Sequence, residues 1–185
     1  MNKKLMLTTV LVFFLTCAVY AQQTYRTQTD SLGNKVLLGQ IDEQTLANDS
    51  AFMWFFTGVN RYRPDTAWTK YISFYRDSFD VVVFAGTWCP DTKRLLPQFY
   101  RVMMSSSYPV NRIKLYGLDH QLHGADAAQQ YDINDVPTFI FLRQGQEIGR
   151  IKDRLQRTME QDIVSILQRS FAPSPQGSAA AISGQ

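Results

Sequence analysis

Two hydrophobic periods alternate along the chain, and the switches between them mark its elements. Phe52, Phe55, Phe56 and Val59 recur at i, i+3, i+4 and i+7, which predicts a helix over residues 51–59. Met53 and Trp54 make that helix apolar almost all round, so deep packing is expected. Pro64 and Asp65 open a second helix, whose stripe is Trp68, Tyr71, Ile72 and Tyr75. Residues 79–85 are a nearly unbroken apolar run, as in a strand buried on both faces. The run stops at Gly86. Beyond Cys89 the period becomes helical, with Leu96, Phe99, Tyr100 and Met103 on one face and a kinking Pro97 inside. Residues 112–118 read as a strand and residues 125–131 as a short helix. Pro137 heads an apolar strand running to Leu142, a turn follows at residues 143–146, and residues 147–151 pair back. Residues 154–169 close the fold as a helix with Met159, Ile163, Ile166 and Leu167 inward. Earlier in the chain, residues 35–41 read as a short strand and Asp42 as a helix cap, while residues 22–34 are polar and read as flexible.

This order predicts an α/β fold, a central mixed sheet with helices on both faces. The crossover makes the strands at Val81 and Ile113 parallel neighbours, and the hairpin makes the last two strands antiparallel.

The ends are set apart by composition. Asn2, Lys3 and Lys4 precede an apolar run over residues 5–19, and Val19 and Ala21 are small residues at the positions a signal peptidase reads. Residues 1–21 therefore read as a secretory signal peptide cut before Gln22. An uncleaved anchor is the less favoured reading, because the run is short for a span. Lipidation of Cys17 is a minority reading, since Phe14 and Thr16 suit it poorly. Residues 172–185, rich in Ala, Ser, Gly and Pro, read as a disordered tail. Removing the signal takes away Lys3 and Lys4 and no acid, so the formal charge falls from +3 to +1. Nothing in that charge points to nucleic acid as a partner. No stable membrane span remains after cleavage. Cys17 leaves too, and Cys89 becomes the single cysteine, unable to form an internal disulfide.

Cys89 falls where a strand hands over to a helix. There the unpaired N–H groups and the positive end of the helix dipole favour the thiolate. Thr92 is placed to donate a hydrogen bond to it. Asp91 works against the thiolate if it points inward, and Lys93 offsets it. His120 and His123 read as solvated loop residues rather than metal ligands, and no cofactor is called for.

Taken together, Trp88-Cys89-Pro90-Asp91-Thr92 after a buried strand, Pro97 eight residues on, the segment Tyr131 to Thr138 around Pro137, and the hairpin from Gln144 to Gly149 resemble the thioredoxin superfamily in order and spacing. The resemblance covers roughly residues 64–170 and leaves residues 22–63 as an N-terminal, largely helical extension packed on the core. It implies a cis Val136-Pro137 bond beside Cys89, with the backbone of Val136 offered to an extended substrate and with Trp88 and Pro90 flanking the same surface.

Two departures from the family pattern matter. Its second cysteine is Thr92 here, and the acid it buries six residues before the first cysteine is Val83. What remains is monothiol chemistry: Cys89 attacks a partner disulfide and an external thiol resolves the product. The implied partners are exported proteins with disulfides or thiols, and a low-molecular-weight thiol, in a bacterial periplasm. The alternative is a redox-inactive binding or chaperone-like module on the same scaffold. A peroxidase is the weaker third reading, because Gly86 stands where peroxidatic sites carry a Thr.

Overall fold

The computed structural model describes residues 25–171. The signal peptide read over residues 1–21 and the tail read over residues 172–185 lie outside the described residues.

Six strands form one mixed sheet in the order β1-β2-β4-β3-β5-β6. They are β1 (Tyr25–Thr29), β2 (Lys35–Ile41), β3 (Asp80–Ala85), β4 (Ile113–Gly117), β5 (Thr138–Arg143) and β6 (Gln146–Ile151). The helices are α1 (Glu43–Asn48), α2 (Met53–Arg61), α3 (Thr66–Tyr75), α4 (Pro90–Ser105), α5 (Ala127–Gln130) and α6 (Met159–Phe171). As the crossover requires, β3 and β4 are parallel, with Val81 opposite Ile113. β5 and β6 are antiparallel across a two-residue turn, Gln144 and Gly145, both at positive φ.

Alternation along β3 splits the core in two. Val81, Val83 and Ala85 face one cluster with Leu95, Leu96 and Phe99 of α4 and Ile163 and Leu167 of α6. Val82 and Phe84 face a second cluster with Leu118, Ile133, Val136 and Ile140, closed by the short α5. The first face is therefore covered by long helices, and the second by one helical turn and loops.

Of residues 22–34, read as flexible from their polarity, 22–24 lie outside the described residues, and Tyr25–Thr29 is instead an edge strand paired along its whole length with β2. Four of its five side chains are exposed, so it buries little and carries no period-two apolar signal. The turn after it is the legible part. Asp30 accepts from the N–H groups of Leu32 and Asn34 and from Asn34 Nδ2, and Gly33 takes a positive φ. The extension is thus part of the sheet as well as packed on it.

α2 is the second correction. Phe52 and Phe55 are buried, but Met53 and Phe56 are 58% and 56% exposed. α2 is an outer layer that packs chiefly on α4, so one face is enough. The contact is close. A Cβ at Gly58 would lie 2.6 Å from Pro97 Cβ, and Phe55 meets Tyr100 edge to face at 5.3 Å. α6 begins at Met159 rather than near residue 154. Thr158 and Gln161 exchange side-chain and backbone hydrogen bonds at 3.4 Å, a capping box spelled Thr-x-x-Gln in the sequence.

Two predictions follow from this packing. Gly58→Ala adds about 1 kcal/mol of helix propensity in principle, yet it drives a methyl into a rigid proline ring. A net loss of roughly 1–3 kcal/mol is expected from overpacking, read as a lower urea midpoint; a higher midpoint would show that α2 can drift off α4. The Asp30 carboxyl is held down to about 2, first by the Asn34 side chain, with burial opposing. Its folded value lies below the ordinary 3.8, so its stabilising effect is complete above about pH 4 and is lost as pH falls towards 2. Urea midpoints between pH 6 and 2 should fall less steeply in Asp30→Asn than in wild type.

Candidate functional site around Cys89

β3 ends at Ala85, and the chain turns through Gly86, Thr87 and Trp88 before α4 begins at Pro90. Cys89 is the N-cap residue of α4, in extended conformation. Its N–H donates to the Gly86 carbonyl at 2.9 Å, and its own carbonyl accepts from Lys93 N–H at 3.0 Å, the first bond of the helix. Pro90 occupies the first helical position, where a missing N–H costs nothing.

The Cys89 side chain does not cap the helix. Its thiol instead donates to the carbonyl of Val136 at 3.3 Å, across 47 residues of sequence. The Val136–Pro137 bond is cis. Sulfur, Val136 carbonyl and Pro137 are thus brought together by the fold rather than by neighbourhood in the chain. The residue is only 7% exposed and belongs to the second core cluster, with Val136, Ile133 and Leu118. A thiol donates this bond and a thiolate cannot.

Trp88 is half-buried and fixed from three sides. Its Nε1–H donates to the Leu118 carbonyl at 3.0 Å, and its indole stacks on His120 with centroids 3.9 Å apart. Its edge lies so close to Gly86 that a Cβ there would sit 2.6 Å from Nε1. Pro90 is exposed. Asp91 points outward and pairs with Arg94 at 2.7 Å.

Thr92 is fully buried, and the hydrogen bond it makes is with Gly86: Oγ1 accepts from the Gly86 N–H at 3.3 Å. It does not donate to Cys89 among the described hydrogen bonds. Position 92 lies on the core face of α4 beneath the turn, where an otherwise unpaired backbone N–H takes its oxygen.

Residues that sequence reasoning left aside complete the site. Thr87 is buried. Its hydroxyl donates to the Lys35 carbonyl at 3.0 Å and accepts from Leu37 N–H at 3.3 Å. β4 pairs with β2 only over Gly39–Ile41, so Thr87 serves backbone groups beyond the reach of that ladder. His120 is not simply solvated: it stacks on Trp88 and approaches Asp30 Oδ2 at 3.2 Å from Nε2. No local pattern reveals these contacts, because the partners are 32 to 90 residues away. Among the described residues, no group of three or more His, Cys, Asp or Glu is placed to hold a metal ion.

Val83, where an acid would serve a second thiol, is fully buried among apolar side chains. The buried carboxylates are spoken for elsewhere. Glu160 accepts from Tyr62 Oη–H at 2.7 Å and Asp65 N–H at 3.2 Å, and Asp162 accepts from Gln156 N–H at 2.7 Å. Chemically the site offers one sulfur, one backbone acceptor and, among the described residues, no second thiol.

Comparison with known proteins agrees with this geometry. The family profile described as Thioredoxin matches residues 62–168, more than half the chain. A thioredoxin-like protein of Fusarium culmorum is 32% identical over 72 residues, 39% of this chain and 58% of that protein. Thioredoxin H9 of Arabidopsis thaliana is 29% identical over 149 residues, 78% of this chain and 99% of that protein. A crystal structure of a Pseudomonas aeruginosa protein of unknown function superposes with a TM-score of 0.51 at 14% identity, over 71% of this chain and 93% of that one, and shares the fold. From the buried strand, the helix it hands over to, the proline segment beside the sulfur and the profile that spans them, this chain belongs to the thioredoxin family.

Proposed function

We propose that the protein is exported and exchanges disulfides of other exported proteins through Cys89 alone. The observation that carries this reading is the placement of the Cys89 sulfur at the N-terminus of α4, 3.3 Å from the Val136 carbonyl that precedes Pro137. Ionised Cys89 attacks one sulfur of a partner disulfide. A Cys89–partner disulfide forms, and the other partner sulfur leaves as thiolate. A low-molecular-weight thiol then attacks that mixed disulfide, releases Cys89 and stays bonded to the partner. Cys89 ends as it began; the partner has traded one disulfide companion for another. Export rests on the basic start and apolar run over residues 2–19. Among the described residues no helix is long and apolar enough to cross a membrane.

A second reading has one observation in its favour: at 7% exposure, Cys89 is sheltered. On that reading the scaffold binds partner segments beside Pro137 without covalent chemistry. Alkylation separates the two. Cys89 in the native protein at pH 7 should react with iodoacetamide faster than the same residue in the urea-unfolded chain, followed by mass spectrometry of its peptide. Slower reaction in the native state favours the binding module.

Trapping gives the complementary result. Mixed disulfides recovered from cells should vanish in Cys89→Ala. They should fall at least tenfold in Thr92→Cys, where a neighbouring thiol releases the partner. Undiminished complexes in Cys89→Ala would refute the exchange reaction.

A further inference from the structure

The extension creates a groove that a chain starting at α3 would not have. Between α2 and α4 lies a cavity of about 540 Å³. Its lining includes Arg61, Arg63, Lys93 and Arg94, the aromatic faces of Trp54 and Tyr62, and no carboxylate. The whole sequence carries a formal charge of only +3, so four cations around one groove are a local concentration.

Two of these cations are already engaged. Arg94 pairs with Asp91, and the Arg63 guanidinium donates to the carbonyls of Asn60 and Tyr62. Arg61 and Lys93 make no ion pair among the described residues. The other strongly basic surface lies between β6 and α6. Asp153 and Asp162 line it, and Arg150 is held by Glu147. Lys152, Arg157 and Arg169 in that second groove also make no ion pair among the described residues, but carboxylates line it, whereas the groove between α2 and α4 has none in its lining and includes Lys93, on the first turn of the helix that Cys89 caps.

That groove opens next to the site. Lys93 lies one helical turn beyond Cys89, about 6 Å along the axis at 1.5 Å per residue, and Gln98 at the far end lies about 13 Å along. Pro90, the first residue of α4 and the next in sequence after Cys89, is exposed. An extended chain covers about 3.3 Å per residue, so residues two to four positions from a cysteine bonded to Cys89 reach the lining.

We propose that this groove binds an acidic stretch of the partner polypeptide, two to four residues from the cysteine that Cys89 attacks. The inference rests on the exchange reading above and adds a substrate class to it. Carboxylates of the stretch meet Arg61 and Lys93, and their aliphatic stems lie against Trp54 and Tyr62. Gly58 sits on the groove floor, where α2 touches Pro97.

The test uses the purified protein and fluorescent peptides in which serine replaces the reactive cysteine, so binding is read without covalent chemistry. One peptide carries Asp and Glu at positions two to four, and a second carries Asn and Gln there. The acidic peptide should bind at least tenfold tighter than the neutral one, lose that advantage in Arg61→Gln/Lys93→Gln, and weaken as salt rises. The variant Arg154→Gln/Arg157→Gln, in the other basic groove, should bind it as wild type does. Equal affinity for both peptides, or no loss in the Arg61/Lys93 variant, overturns the proposal. So does a result in which only oxidised glutathione, a small anionic disulfide, depends on Arg61 and Lys93.

Cysteine-containing disulfide forms of the same two peptides keep the two claims apart. Mixed disulfides forming equally fast with both peptides would sink the groove and leave exchange standing. Tight, charge-dependent binding without any mixed disulfide would sink exchange and leave the groove.

Discussion

β3 has no solvent face. Val81 and Val83 are claimed by the cluster under α4 and α6, Val82 and Phe84 by the cluster under α5, and each of the four is at most 3% exposed. A strand held on both sides leaves the sheet at one place only, after Ala85, and the turn that follows must end where α4 can start. Cys89 is the residue at that start. Its position follows from burying eight or so apolar side chains nearby, at about 1.5–3 kcal/mol each, rather than from any interaction of its own sulfur.

The N-terminal extension reinforces that junction from below and beside it. The β1–β2 hairpin reaches the turn through Thr87 and reaches Trp88 through Asp30 and His120. α2 lies across α4 at Gly58 and Pro97, so the proline inside the helix is also where the extension seats. Tyr62 ties the end of α2 to buried Glu160 at the start of α6, and burial with that carboxylate beside it raises the phenol well above its ordinary range. Residues 25–61 are thus part of the site's scaffold, and they bring with them the basic groove that faces the first turn of α4.

Loss of the second thiol and loss of the buried acid belong together. Val83 sits in a dry cluster, where a carboxylate without a proton-transfer task would carry only a desolvation cost. Thr92 keeps the volume of a small polar residue and spends its oxygen on the Gly86 N–H. The turn therefore stays hydrogen-bonded without a cysteine at that position, and no disulfide can form between positions 89 and 92. What survives is a thiol beside a backbone carbonyl.

The sequence by itself determined the core topology and the position of Cys89 within it. Period-two and period-3.6 patterns report burial directly, and the apolar run into Gly86 and the Pro137 segment are strong local signals. It also determined the capping box at Thr158 and the turn at Asp30, which are written in neighbouring residues. Tertiary structure alone decided the rest. β1 is held by backbone pairing at a sheet edge and buries almost nothing, so its side chains carry no pattern. Met53 and Phe56 are exposed because α2 has a neighbour on one side only, which composition does not encode. The partners of Thr87, Thr92, Trp88 and His120 were settled by which elements the folded chain sets against them; hydrogen bonds and ring contacts depend on distance in space, and sequence records only distance along the chain.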